Sequence, residues 1–278
     1  MKSLNSNVYL SLKQAITNSR LITILGYHSI SNIPDKYADS ISIETFRRQA
    51  EFISKNYNIA RLGQLQDIFS KPERGDKRTV IVTFDDAFSD FFENAYPILE
   101  RLAIPSTIFI PSGYIGKEND WDSGLQNYVK RPIMTVPQLI HLKKQGLVDF
   151  GSHSVDHKDM TSLSMEEMIR QALESRRTLE QILGLPIFMF AYPYGLCSRT
   201  TKRVLAEANY DIAVTCRSST SNNCDNLLNL NRLFLTEKDI NGTIQAKIDG
   251  MHELYHDMRN IYWQIKRDLA KCQRVLLR

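Results

Sequence analysis

Apolar runs of strand length recur along the chain, and between them the hydrophobic positions fall at helical spacing. The strand-length runs cover 22–28, 79–84, 106–111, 148–152, 187–192, 211–216 and 232–235. Each is rich in β-branched or aromatic residues and is bounded by polar or turn residues, as a buried strand is. Helical spacing covers 43–56, 90–102, 135–145, 164–183 and 198–208. Ser164 ahead of Glu166 and Glu167 marks a helix start, and Gly184 followed by Pro186 marks its end. Pro97 inside the 90–102 pattern predicts a kink or a late start. Strands alternating with helices imply parallel pairing with the helices outside. Periodicity alone leaves a closed barrel and an open doubly wound sheet as alternatives.

Two connections break the pattern. Residues 112–134, with Gly113, Gly116, Trp121, Gly124 and Pro132, are long for a strand-to-helix connection. Residues 217–231 are rich in serine and asparagine. Both follow strands, so they either frame a site or are plain solvated loops. In the stretch 251–278, Ile261, Ile265, Leu269, Cys272 and Leu276 recur at helical spacing, with Arg259, Lys266, Arg267, Lys271, Arg274 and Arg278 mostly between them. That is a basic amphipathic helix, which docks on the domain or contacts an anionic membrane surface or a partner.

The chain has 278 residues, 42% hydrophobic and 24% charged, which are globular values sufficient for a sizeable core. A net charge of +4 gives no argument for nucleic acid as a partner. Cys197, Cys216, Cys224 and Cys272 form no C-x-x-C pair and no disulfide framework. The opening residues lack the apolar core of a secretory signal, and no stretch approaches the roughly 20 apolar residues that span a bilayer. The expectation is a cytoplasmic protein with reduced thiols.

The candidate chemistry lies at strand ends, where strand–helix folds place their sites. Asp85-Asp86 ends the run Thr79-Val80-Ile81-Val82-Thr83-Phe84. Adjacent carboxylates repel, and burial raises their pKa values, so a buried pair suggests a metal that offsets the cost. His153 and His157 follow the 148–152 run, and a four-residue spacing on a helical turn puts both imidazoles on one side. One carboxylate and two imidazoles suit a divalent ion with open positions for water and substrate, and the second carboxylate is free to act as a base. Ser152 and Asp156 are candidates to fix the imidazole tautomers. Tyr192-Pro193-Tyr194-Gly195 reads as a tight turn that aims the Tyr194 backbone N–H at a ligand, or as an aromatic turn over the core. His28, after the first strand, is a general acid, a substrate contact or a satisfied core histidine. His141, His252 and His256 read as surface histidines.

Taken together, Thr83-Phe84-Asp85-Asp86, His153-Ser154-Val155-Asp156-His157 and Tyr192-Pro193-Tyr194-Gly195, in this order, resemble the polysaccharide deacetylases with a NodB-homology domain (carbohydrate esterase family 4). Leu25-Gly26-Tyr27-His28-Ser29-Ile30 also resembles the first strand of many members. The resemblance implies a distorted (β/α)7 barrel, a single catalytic domain over 21–240 between an N-terminal segment (1–20) and a C-terminal helical extension (241–278). It implies a metal held by Asp86, His153 and His157, with Zn²⁺ first and Co²⁺, Ni²⁺, Mn²⁺ or Fe²⁺ also compatible, and a base at Asp85. It implies hydrolytic removal of an acyl group, usually acetyl, from the nitrogen of an amino sugar. The chain departs from the family pattern in two places. No histidine stands in Leu228-Asn229-Leu230-Asn231-Arg232-Leu233-Phe234-Leu235, where many members carry a catalytic one, and Ala191 stands where many carry an arginine that orients the base. Arg232 is the candidate for the missing charge and His28 for the acid. The Tyr-Pro-Tyr-Gly form resembles a branch associated with bacterial surface-glycan synthesis. The expected partner is an N-acetylated sugar or glycan precursor, with peripheral contact at the inner membrane face through the basic tail. Two other classes fit parts of the pattern: a non-haem iron oxygenase, and a catalytically silent glycan-binding relative.

Overall fold

The computed structural model describes residues 22–33, 39–70, 78–126, 128–220 and 222–250. The strands are β1 (Ile22–Tyr27), β2 (Asn58–Ala60), β3 (Thr79–Phe84), β4 (Ser106–Ile110), β5 (Val148–Ser152), β6 (Met189–Ala191), β7 (Ile212–Val214) and β8 (Leu233–Phe234). The α-helices are α1 (Ile43–Asn56), α2 (Leu65–Ser70), α3 (Tyr96–Arg101), α4 (Val136–Gln145), α5 (Met165–Leu183), α6 (Arg199–Glu207) and α7 (Asn241–Ile248). All seven expected strands form, and β2 is an addition to them. At three residues it is too short to carry a periodic signal, and it pairs with the first half of β3, Asn58 beside Thr79 and Ala60 beside Ile81.

The sheet runs β7-β6-β5-β4-β3-β1-β8, and its pairings are parallel. The segment before and within β8 joins the two ends of this order. Leu230 forms a parallel bridge with Val214 on one side, and Leu233 and Phe234 pair with Leu25 and Gly26 on the other. The result is the distorted (β/α)7 barrel. Strand alternation divides its core in two. Ile24, Ile81, Phe109, Met189, Ile212 and Val214 fill the interior. Leu25, Tyr27, Val80, Val82, Phe84, Ile108 and Ile110 face the helices. The same alternation turns Asp85 inward, two places after Thr83.

Helix boundaries follow their local chemistry. Ser164 accepts a hydrogen bond from the Glu167 N–H, Glu166 and Glu167 favour the positive end of the helix dipole, and Gly184 ends α5 in the left-handed region. The buried stripe of α5 is Met168, Gln171, Ala172, Ser175, Leu179 and Leu183, at the spacing of one helical face. Pro97 acts as expected: one wide π-type turn over Phe91–Ala95 precedes a regular helix that starts at Tyr96. Helix α7 packs Ile244 and Ile248 into the outer core. At its end Thr23 Oγ1 donates to the Ile248 carbonyl (3.4 Å), as does Arg78 Nη1 (3.0 Å), while Arg78 Nε pairs with Asp249 (3.3 Å). The start of β1 and the end of α7 therefore meet at the N-terminal end of the strands. The basic stretch 251–278, with His252, His256 and Cys272, lies outside the described residues. Among those described, no helix is long and apolar enough to cross a membrane. Cys197, Cys216 and Cys224 are free thiols, and His141 is exposed on α4.

Candidate metal centre and active site

At the C-terminal end of β3 the chain turns sharply, with Asp86 and Ala87 at φ 67° and 54°. Positive φ is costly for a residue with a Cβ, and such strain gathers where geometry matters. Here it lets two adjacent carboxylates point different ways: Asp85 continues the strand into the barrel, and Asp86 swings to β5. The His153–His157 segment is extended and looped, with Ser154 at φ 65° and His157 at φ 53°. This corrects the helical-turn expectation: backbone reversals, not helical spacing, bring the two imidazoles together.

Asp86 Oδ1 lies 3.5 Å from His153 Nε2 and 3.2 Å from His157 Nε2. All three residues are buried, at 5%, 2% and 6% exposure. Donors bound at about 2.1 Å to one tetrahedral ion stand roughly 3.4 Å apart, so these spacings fit one. Among the described residues Asp86 Oδ1 is a buried acceptor without a hydrogen-bond partner, which a cation would satisfy. His153 Nδ1–H donates to the Ala191 carbonyl (2.8 Å), which leaves Nε2 free as a ligand. The tautomer is thus fixed by backbone, not by Ser152 or Asp156. Ser152 Oγ bonds Ser175 Oγ (2.7 Å), and Asp156 accepts from Arg170 and Gln171.

Asp85 meets a different partner. Arg232 is fully buried in the barrel, donating Nη1 to Asp85 Oδ1 (2.7 Å), Nη2 to Oδ2 (2.6 Å) and Nε to the Thr215 carbonyl (2.9 Å). Burial alone would raise the Asp85 pKa, but the Arg232 charge and its hydrogen bonds outweigh that and hold the carboxyl below the ordinary range. Burial likewise opposes ionisation of Asp86, and His157 and His153 reverse the balance. Burial lowers His157, whereas His153 is raised because the adjacent carboxylates of Asp86 and Asp85 overcome its burial.

The remaining expected residues surround this pair of carboxylates. His28 Nε2 is 3.7 Å from Asp85 Oδ2 and its Nδ1 is 3.8 Å from Asp39, with the ring stacked on Phe234. Tyr194 sits at φ 57°, its ring edge-on to His157 (4.9 Å) and 46% exposed, and its hydroxyl donates to Asp122 (3.3 Å). The turn is held by Gly195 at φ 68°, where a Cβ would stand 2.3 Å from the Cys216 nitrogen.

Several groups at the site carried no sequence signal of their own. Trp121, from the long 112–134 connection, stacks on His157 (4.3 Å) and meets Tyr114 edge-on (4.9 Å). Its loop does frame the site. Residues 217–231 lie behind it, where the Leu228 carbonyl accepts from the Tyr192 hydroxyl. A rare tryptophan in a glycine-bearing loop after a strand was the available clue.

A family model for polysaccharide deacetylases matches residues 73–213, just over half of the chain. The chain belongs to the polysaccharide deacetylase family. As a polysaccharide deacetylase it is a sugar N-deacetylase, a hydrolase and not an oxygenase. The poly-beta-1,6-N-acetyl-D-glucosamine N-deacetylase of Staphylococcus aureus (strain MRSA252) is 26% identical over 226 residues, covering 77% of this chain and 73% of that protein. Solved structures agree on the fold. The Streptococcus pyogenes deacetylase PplD in complex with acetate matches at TM-score 0.70 and 24% identity, over 83% of this chain and 99% of that one. IcaB from Ammonifex degensii matches at TM-score 0.71 and 21% identity, over 83% and 97%.

Proposed function

We propose that this polysaccharide deacetylase removes acetyl groups from the N-acetylglucosamine units of a surface glycan, using a divalent ion held by Asp86, His153 and His157. The observation that carries the reading is the convergence of those three donors beside a second carboxylate, Asp85, that Arg232 keeps ionised. The relationship to the staphylococcal poly-N-acetylglucosamine deacetylase supports the substrate class. The donor set, two imidazoles and one carboxylate, favours Zn²⁺ and accommodates Co²⁺, Ni²⁺, Mn²⁺ or Fe²⁺.

A bound ion of this kind supplies Lewis-acid polarisation of the amide carbonyl and a water of lowered pKa. The chain's own residues do the rest. Asp85 takes the proton of the attacking water, and its low pKa keeps it ready for that role at neutral pH. Arg232 occupies both Asp85 oxygens from below, which fixes the plane of the carboxylate. The Tyr194 backbone N–H donates to the carbonyl oxygen as negative charge grows there. His28, across Asp85, gives a proton to the departing sugar amine, without which that amine is a poor leaving group. Trp121 and Tyr194 close two sides of His157 and exclude water.

The test is acetate release from N-acetylglucosamine oligomers, with and without Zn²⁺ or Co²⁺, beside an Asp85→Asn control. Metal-dependent release that disappears in the control is the expected result. Release that is indifferent to chelator, or undiminished in the control, would overturn the reading.

A further inference from the structure

Beside His157 lies a cleft of about 580 Å³, lined also by Tyr114, Trp121, Leu163 and Tyr194. His28 stands instead at the other carboxylate, Asp85. What holds its ring comes from the chain between β1 and α1, which returns there alongside itself. Ile30 and Ile41 form a parallel bridge, the Ser31 N–H donates to the Ile41 carbonyl (2.9 Å), and the Ile41 N–H donates to the Ser29 carbonyl (3.0 Å). A polar cluster fastens the two passes together. Ser40 Oγ donates to Ser29 Oγ (3.2 Å), and Ser29 Oγ donates to Asp90, whose other oxygen accepts from the Ile30 N–H (3.3 Å). Buried Arg131 donates to Ser40 Oγ (3.0 Å) and to the Ile33 carbonyl (3.1 Å), and pairs with Asp90 (3.5 Å). These bonds fix the place of the residue just before Ser40.

That residue is Asp39, whose backbone is left-handed at φ 42°. Aspartate tolerates this region better than most residues with a Cβ, but at some cost, and such strain gathers where geometry matters. Asp39 Oδ2 lies 3.8 Å from His28 Nδ1, while His28 Nε2 lies 3.7 Å from Asp85 Oδ2. The imidazole thus stands between two carboxylates, one facing each nitrogen, with its flat side on Phe234. Nδ1 is shielded from solvent and, among the described residues, has no hydrogen-bond partner. A buried nitrogen left unmatched costs free energy. A charge-assisted N–H···O bond spans about 2.8 Å, so a movement of about 1 Å by the Asp39 side chain completes one. That side chain is 67% exposed and free to make it. An exposed pair adds little to stability, so what the contact supplies is orientation.

We propose that Asp39 is a positioning residue for His28, its carboxylate accepting from Nδ1–H and turning Nε2 toward the sugar nitrogen beside Asp85. The inference rests on the deacetylase reading with His28 as the acid, and adds to it the group that aims the acid. As the amide C–N bond breaks, the nitrogen keeps the bonding pair and takes the Nε2 proton. Nδ1 keeps its own proton throughout, so its acceptor serves before and after the transfer.

Asp39→Gly removes the carboxylate, and glycine is at ease at this φ. The variant is expected to melt within about 3 °C of wild type and to bind Co²⁺ with unchanged affinity. Its kcat on an N-acetylglucosamine oligomer is expected to fall about tenfold with KM little changed, a part of what a general acid contributes. Hydrolysis of an aryl acetate, whose phenolate leaves without a proton, is expected to stay within about twofold. In a His28→Ala background the same substitution should cost nothing more. Oligomer turnover equal to wild type, equal losses on both substrates, or a full further loss in the His28→Ala background would each overturn the proposal. A wild-type protein that does not deacetylate the oligomer would overturn the deacetylase reading, and this inference with it. A His28→Ala loss confined to the oligomer, beside an Asp39→Gly variant that works as wild type, would remove this inference alone.

Discussion

Arg232 and Asp85 meet through two parallel N–H···O bonds inside the barrel although 147 residues separate them in the chain. Arg232 enters from the first residue before β8, a few residues below the strand ends, so only a long side chain reaches the carboxylate. The planar guanidinium then matches both oxygens at once.

Arg232→Met is expected to leave the Asp85 charge buried without its partner and to destabilise the fold by about 3–5 kcal/mol. Urea unfolding checks this. Arg232→Lys keeps the charge but loses the two-point fit, and is expected to fall between the two.

The pH profile carries the same relationship. Asp85 has a lowered folded pKa, so its ion pair stabilises the fold above the ordinary carboxylate value, about 4, and that contribution is lost as pH falls through the folded value. A base works when ionised, so activity should persist into mildly acidic solution. In Arg232→Lys the weaker partner leaves burial less opposed, and the acid limb of kcat/KM should move to higher pH. An unmoved limb would assign that limb to another group.

Loading the centre with Zn²⁺ is expected to raise the melting temperature. An ion at a hundred times its Kd contributes about 2.7 kcal/mol, which is roughly 5–10 °C for a domain of this size. Replacing Asp86, His153 or His157 by alanine should abolish the shift in differential scanning calorimetry.

His28→Ala is expected to lower kcat on an N-acetylated sugar by about 10²–10⁴-fold if it protonates the departing amine. An aryl acetate, whose phenolate leaves without a proton, should lose far less. Equal losses on both substrates would make His28 a structural neighbour of Asp85 and not an acid.

Gly195→Ala places a Cβ 2.3 Å from backbone nitrogen at a φ of 68°. Neither the clash nor the strain can relax through a side chain. A loss of about 2 kcal/mol or more is expected, with deacetylation reduced because the Tyr194 turn moves with it.

Much of this was legible in the chain. Strand-length apolar runs located β1 and β3 to β8 because burial inside a barrel demands such runs on every strand. The end signals Ser164 and Gly184 located α5 because capping chemistry is local. Asp85, Asp86, His153 and His157 were legible because strand ends concentrate function. The gap at Ala191 pointed to Arg232 because a buried carboxylate base needs a cation. What stayed hidden depends on the path of the backbone. The His153–His157 spacing mimics a helix, yet left-handed residues fold it. The carbonyl that orients His153 belongs to Ala191, a residue with no chemistry in its side chain. Trp121 comes to the site on the long connection between β4 and α4, whose path no short-range pattern records.

Thr23 and Ile248 touch at the barrel end remote from Asp86. Whatever the chain carries before Ile22 or after Gly250 is therefore rooted on the far side from the cleft. Gly250 and Ile22 thus mark the end of the barrel opposite the cleft. A bead or fusion partner attached there would leave the mouth unobstructed.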